Sequence, residues 1–360
     1  MFIKAAFYAT RGGTTTSGTS GCRRDKSRGG RQNHRVKEIG MNAPRWRVVS
    51  RQVRWACVGV FLALAPAYGQ SEITLTGTID TRVHSGPDSA ARSIDADDLA
   101  RIARDKNMRG MVLKNHFEST AALAYMVRKE VPGIQVFGGI VLNRSVGGIN
   151  LDAVKRMTMV KGGLGRVVWL PTSDSEAFVK KLHLKGAAAP VAVSKDGHLL
   201  PSVLELIDFI AQHHEIVLET GHISAEEALM VVHEAHQRGV KHIVVTGPMD
   251  MVVEMTVPQM QQAAREGAYI EFSYSNTYGI EQQHSMAEFA DAIRRIGPKS
   301  CILATNFGSD YLFPLHPQAL LDFMEGLHQE GISVADIDTM AKSNPAAILE
   351  LPPYPPDAPA

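Results

Sequence analysis

The amino-acid sequence predicts an α/β protein, an eight-stranded (β/α)8 barrel with a small hairpin insertion after its fourth unit. Three observations predict it. Short apolar runs recur eight times between Ile73 and Ala304, the segments between them carry helical spacing, and the runs are apolar almost throughout rather than alternating. Continuous apolarity is what a parallel strand needs when both its faces are covered. Eight strand-helix repeats over about 280 residues match a closed barrel better than a doubly wound sheet.

The runs are Ile73–Ile79, Met111–Leu113, Val136–Leu142, Val167–Leu170, Ile216–Leu218, Ile243–Val245, Tyr269–Phe272 and Cys301–Ala304. Between them, Val203, Leu206, Ile207 and Ile210 fall at i, i+3, i+4 and i+7, as do Met286, Phe289, Ala290 and Ile293, and again Leu320, Phe323, Met324 and Leu327. Each stripe faces a sheet. Ser224 with Glu227 three residues on is a capping-box signature, and Gly239 marks that helix's end. The stretch from Leu184 to Pro201, with Val191-Ala192-Val193, the turn Lys195-Asp196-Gly197 and then Leu199-Leu200, reads as the inserted hairpin.

Outside the barrel, assigned to residues 71–351, the chain changes character. Residues 1–40 crowd Arg23, Arg24, Lys26, Arg28, Arg31, Arg35 and Lys37 into a Gly/Ser/Thr-rich leader, expected to be disordered or not translated at all. Residues 41–70 have a secretory signal layout: basic Arg45 to Arg54, the apolar run Trp55–Ala65, then small residues to Gln70. The run is short for a span, so cleavage near Ala67 or Gly69 and no stable membrane anchor are expected, with export to a bacterial periplasm. The Pro-rich tail 352–360 is expected to be unstructured.

Of three cysteines, Cys22 and Cys57 precede the barrel, leaving Cys301 alone in an apolar run as a core thiol. A domain of this size needs no disulfides to bury a core. Lys plus Arg (38) balance Asp plus Glu (37), a formal charge of +1, which argues for a small-molecule partner and against nucleic acid.

Barrel chemistry sits where strands end, so the polar residues after each run are the candidates. They are Asp80, Arg82 and His84; Lys114 and His116; Asn143 and Arg144; Thr172; Glu219 and His222; Thr246; Glu271 and Ser273; and Thr305 and Asn306. His84, His116 and His222 at one mouth form a candidate three-histidine metal site for zinc or a similar divalent ion. Lys114 beside imidazoles is expected to have a lowered pKa, as a base or carbamate bearer, or else to pair with Glu118 or Glu219. Gly138-Gly139 and Gly147-Gly148 allow a ligand close to the backbone, with Asn150 capping the next helix. The remaining histidines, His242 and His316 among them, are expected mostly to face solvent.

These residues, with the runs Gly138-Gly139-Ile140-Val141-Leu142-Asn143, Val146-Gly147-Gly148, Leu199-Leu200-Pro201, Thr220-Gly221-His222 and Ser343-Asn344-Pro345-Ala346, resemble a family of amidohydrolase-like TIM-barrel proteins described as metal-dependent hydrolases. The similarity covers about Ile79 to Leu351. The resemblance implies metal ligands in a D-x-H-x-H first strand, a T-H-P sixth and a T-D-x-G eighth. The chain departs at all three, with Asp80-Thr81-Arg82-Val83-His84, Thr246-Gly247-Pro248 and Thr305-Asn306-Phe307-Gly308. Lys114, His116 and His222 match. Two neutral ligands are lost, one to a cation, and a carboxylate becomes an amide. The expectation is that Arg82 occupies the former metal region, pairs with Asp80 and uses the space left at Gly247, giving a metal-free site for an anionic or carbonyl ligand.

Three functions follow. One is a metal-dependent hydrolase, with His84, His116 and His222 on the ion, Lys114 or Glu219 assisting its water, and Arg82, Asn143, Thr246 and Asn306 on the substrate. The second is a catalytically inactive periplasmic binding protein using the pocket of Arg82, Lys114, Asn143 and Asn306. The third is a metal-free lyase or isomerase with Lys114 as base or Schiff-base amine.

Overall fold

The computed structural model describes residues 72–183, 188–352 and 354. The leader at 1–40 and the signal segment at 41–70 lie outside the described residues, as does most of the tail. In chain order the elements are β1 (Ile79–Val83), α1 (Ala96–Asp105), β2 (Gly110–Leu113), α2 (Ala121–Glu130), β3 (Gln135–Val141), α3 (Leu151–Thr158), β4 (Gly165–Trp169) and α4 (Glu176–Lys181). The hairpin β5 (Ser194–Lys195) and β6 (His198–Leu199) follows, then α5 (Pro201–Ala211), β7 (Val217–Glu219), α6 (Ala225–Gln237), β8 (His242–Thr246), α7 (Val257–Arg265), β9 (Tyr269–Ser273), α8 (Met286–Ile296), β10 (Cys301–Ala304) and α9 (His316–Gln329). Two short helices, α10 (Val334–Asp338) and α11 (Asn344–Ile348), complete the series.

Eight strands run parallel in the order β1-β2-β3-β4-β7-β8-β9-β10, ringed by the helices, so the (β/α)8 barrel is the fold. Beyond the ends of the first and last strands the ring is sewn together. Asn306 N–H donates to Arg82 O (2.9 Å) and His84 N–H to Phe307 O (2.9 Å). Asp80 reinforces the seam: its Oδ2 accepts from Thr305 Oγ1 at 2.6 Å and its Oδ1 from Thr305 N–H at 3.1 Å. Among the described residues no helix is long and apolar enough to cross a membrane.

Local rules carry most elements. Val203, Leu206, Ile207 and Ile210 are the buried face of α5, and Leu320, Phe323, Met324 and Leu327 that of α9. Ser224 and Glu227 form the reciprocal capping box at α6, and Asn150 caps α3 by accepting from Ala153 N–H. In the insertion, β5 and β6 pair antiparallel across Asp196 (φ 51°) and Gly197 (φ 78°), the two positive dihedrals of a tight two-residue hairpin turn. Cys301 is a buried free thiol, its pKa pushed up to about 12 by burial.

Three expectations are corrected. The first strand is not Ile73–Ile79: Thr78 N–H turns back onto Leu75 O at 3.0 Å, and β1 is the polar run Ile79–Val83, buried at all five positions. Apolar counting missed it because the upper barrel interior accepts hydrogen-bonded polar side chains. Gly138 and Gly139 serve packing rather than a ligand. A β-carbon on Gly138 would lie 2.5 Å from Thr120 O, and one on Gly139 2.2 Å from Val167 O and 2.5 Å from the Trp169 ring. His242 and His316 do not face solvent, because both are buried, and burial brings His316 down to about 4.

Two outcomes follow. Gly139→Ala must push β3 off β4, a cost of about 2 kcal/mol or more, seen as a lowered thermal midpoint; an unchanged midpoint contradicts the packing role. His316 has a folded pKa below its unfolded 6.5, so its stabilisation is complete above pH 6.5 and is lost as pH falls toward 4. In calorimetry, His316→Leu should therefore gain on the parent by up to about 3 kcal/mol as pH falls through that window.

Candidate active site at the C-terminal mouth

Four strands bring charge to the centre of the barrel mouth. Arg82 is the fourth residue of β1, Lys114 follows β2, Glu219 ends β7 and Glu271 lies within β9. All four are essentially without solvent exposure. Buried charge persists only when paired or neutralised, so their arrangement has to account for each.

Arg82 Nε sits 3.1 Å from Glu271 Oε1, as a close charge contact rather than an aligned hydrogen bond. This corrects the expected Asp80 partner. Asp80 is occupied by Thr305 and accepts only the backbone N–H of Arg82 (3.2 Å), and burial pushes its pKa up to about 7. Glu271 is held from the other side by Thr81 Oγ1, which donates to its Oε2 at 2.8 Å. The space at residue 247 is used as expected: a β-carbon on Gly247 would lie 3.4 Å from Arg82 Nη2, 3.6 Å from Nη1 and 3.7 Å from Ser273 Oγ.

Lys114 forms neither expected salt bridge. Its Nζ has no hydrogen-bond partner and stands 5.7 Å from the Trp169 ring centroid. Burial, then the charge of Arg82, lowers its pKa, while Glu219 and Glu271 oppose them. Glu219 shifts the other way. Its pKa is raised, first by burial and then by Glu271, although Trp169 Nε1–H (2.6 Å) and Thr246 Oγ1 (2.9 Å) both donate to its Oε2. Glu219 Oε1 has no partner. Both groups are thus pushed toward their neutral forms, as an amine and a carboxylic acid.

The histidines gather without forming a metal site. His84 and His116 stack with centroids 5.0 Å apart and planes 20° from parallel. Imidazole ligates zinc through a ring nitrogen at about 2.0–2.1 Å, and one nitrogen of each of these rings already faces a protein partner. His84 Nε2 faces Asn306 Oδ1 (3.1 Å), His116 Nδ1 faces Thr172 Oγ1 (2.8 Å), and His222 stacks on Phe178 at 6.1 Å. Burial holds His84 and His116 well below the usual imidazole range, helped by the charges of Arg92 and Lys114. Among the described residues no group of three or more His, Cys, Asp or Glu could hold a metal ion. The residues present do not fit a divalent metal.

The three polar residues assigned to substrate have their groups engaged by protein. Asn143 Nδ2 donates to His116 O, Thr172 Oγ1 and Ser173 Oγ, while its Oδ1 accepts from Thr172 N–H and Asp174 N–H. Thr246 links Gly221 N–H to Glu219, and Asn306 bridges His84 and Ser275. These residues orient the mouth.

Sequence reasoning missed the pairing of two loops and the indole. The loop after β1 meets the loop after β10, with Ser93 N–H donating to Gly308 O (3.0 Å) and Arg92 bridging Ser309. Within it Arg92 Nε donates to Asp88 Oδ2 at 2.7 Å, with both side chains nearly out of solvent. Nothing in the loop's composition announced this. Trp169 had a signal, since a buried indole N–H needs an acceptor.

Solved structures share the fold at low identity. A mutant of an organophosphorus hydrolase matches with a TM-score of 0.52 and 15% identity, covering 76% of this chain and 93% of that one. A protein engineered for organophosphate hydrolysis from a weak promiscuous lactonase template matches at 0.51 and 14% identity, covering 77% and 98%. A mutant organophosphorus hydrolase from Deinococcus radiodurans matches at 0.50 and 14%, covering 78% and 98%. At such identities the likeness is one of fold. A search of curated proteins gives no match. The family model of DUF6282, a family of unknown function, matches residues 77–271, more than half of the chain, and this protein belongs to that family.

Proposed function

We propose that this chain is a small-molecule hydrolase of the amidohydrolase type that works at the barrel mouth with its own side chains in place of a metal ion. One observation carries the reading: Arg82 Nη1, Lys114 Nζ, Glu219 Oε1 and Ser273 Oγ, from four strands, are all buried there without a hydrogen-bond partner. Structural polar groups are normally satisfied, and groups left unsatisfied at strand ends of a barrel are what a substrate would complete. The organophosphorus hydrolases and the lactonase-derived enzyme support the class through their shared fold alone.

In this reading Lys114, neutral before reaction, takes the proton of the attacking water. Arg82 Nη1 and Ser273 Oγ donate to the oxygen on which negative charge develops. Glu219, held protonated, gives its proton to the leaving group. The signal layout at 41–70 supports export to a bacterial periplasm, and the balanced charge supports a small substrate rather than nucleic acid. The guanidinium standing where the resemblance puts a metal ligand favours a second reading, a binding protein without turnover.

Two measurements test this. Elemental mass spectrometry on the purified chain should find well under one metal per molecule, and added zinc should leave the thermal midpoint unchanged; tight stoichiometric metal would sink the metal-free site. Across a panel of esters, lactones and amides, Lys114→Met should lower kcat by about a hundredfold or more with its thermal midpoint retained. A parent protein that binds members of the panel without turning any over establishes the binding reading instead.

A further inference from the structure

The unpartnered atoms at the mouth have a composition. Three are donors on buried side chains: Arg82 Nη1, Lys114 Nζ and Ser273 Oγ. Arg82 and Ser273 are neighbours, and Lys114 lies close enough to Arg82 to feel its charge. Arg82 Nη1 and Ser273 Oγ both lie within 4 Å of the point a β-carbon on Gly247 would occupy, at 3.6 and 3.7 Å. Gly247 follows Thr246, which donates to Glu219, and Glu219 also accepts from the Trp169 indole over which Lys114 Nζ stands.

The protein's own carboxylates do not use up these donors. Glu271 Oε2 is taken by Thr81, and its Oε1 faces Arg82 Nε rather than Nη1. Glu219 Oε2 is taken twice, which leaves its Oε1, the oxygen that carries the proton of the neutral carboxyl, as the free end of that side chain. A guanidinium, an amine and a hydroxyl beside one spare carboxyl O–H call for a ligand with two adjacent acceptor oxygens and a third acceptor next to them. A guanidinium and an amine N–H sharing a planar, two-oxygen anion satisfy the first demand.

We propose that Arg82 Nη1, Lys114 Nζ and Ser273 Oγ form a subsite for the carboxylate of a small hydroxy or amido acid, with Glu219 Oε1–H donating to its hydroxyl or amide oxygen. The inference rests on the mouth being the proposed hydrolytic site and adds the ligand class. Hydrolysis of a lactone, or of an ester of a hydroxy acid, leaves a hydroxy acid, so the subsite is complementary to that product and makes it an inhibitor.

The test is isothermal titration calorimetry of the full chain with glycolate and lactate, and with their neutral amides, glycolamide and lactamide. The expected result is that a hydroxy acid binds at least about tenfold more tightly than its amide. Ser273→Ala, which removes one hydroxyl from a well-packed position, should weaken that binding by about tenfold, the size of one charge-assisted hydrogen bond, with the thermal midpoint retained. Arg82→Lys, which keeps the charge but loses the fork, should weaken it at least as much. No binding of either acid, equal affinity for acid and amide, or an unchanged Ser273→Ala would overturn the subsite. The two readings separate cleanly. Turnover of glycolate or lactate esters without inhibition by the free acids leaves the hydrolase standing and overturns the subsite, whereas acid binding with no turnover keeps the subsite and removes the hydrolase.

Discussion

At the top of this barrel a guanidinium and a carboxylate face each other with almost no solvent, Arg82 from β1 and Glu271 from β9. Such a pair repays its desolvation only when its geometry and remaining hydrogen bonds are good, and removing one partner typically costs about 3–5 kcal/mol because the other charge is left buried. The surroundings fit that constraint. Thr81 holds Glu271, residue 247 carries no side chain where the guanidinium lies, and the nearby amine and carboxyl are both driven toward neutrality, which limits further buried charge.

The pair also depends on how the ring closes. Asp80, two residues before Arg82 in β1, is anchored to Thr305, and the backbone of Arg82 accepts from Asn306 N–H. The seam between first and last strands therefore fixes the register of the strand that carries the guanidinium. Asn306 has a positive φ of 57° at the same corner, where its side chain joins His84 to Ser275. An amide with both a donor and an acceptor can bridge those two groups, whereas a carboxylate in its place can only accept.

Much of this was legible in the chain. Helix stripes, the Ser224–Glu227 box and the Asp196-Gly197 turn are local rules, and a local rule is visible in a short window of sequence. The small residue at 247 beside a new arginine at 82 also pointed correctly to the space the guanidinium fills. The identity of its partner did not follow, because Asp80 lies two residues away and Glu271 lies 189 residues away. Only the closed ring decides between them. The same limit hid β1, where polar residues face a polar interior, and the stacked geometry of His84 and His116, which residue type and strand position leave undetermined.

The pairing of the loops after the first and last strands bears on how a ligand would exchange. Ser93 to Gly308 and Arg92 to Ser309 join two segments that begin at opposite sides of the closure seam, and the buried Arg92–Asp88 contact stiffens one of them. The charged side chains of the mouth have almost no solvent exposure, so a visitor would reach them only if some part of their cover moved. Entry and departure would then share one opening event, and the rate of exchange would follow temperature through that event rather than through diffusion.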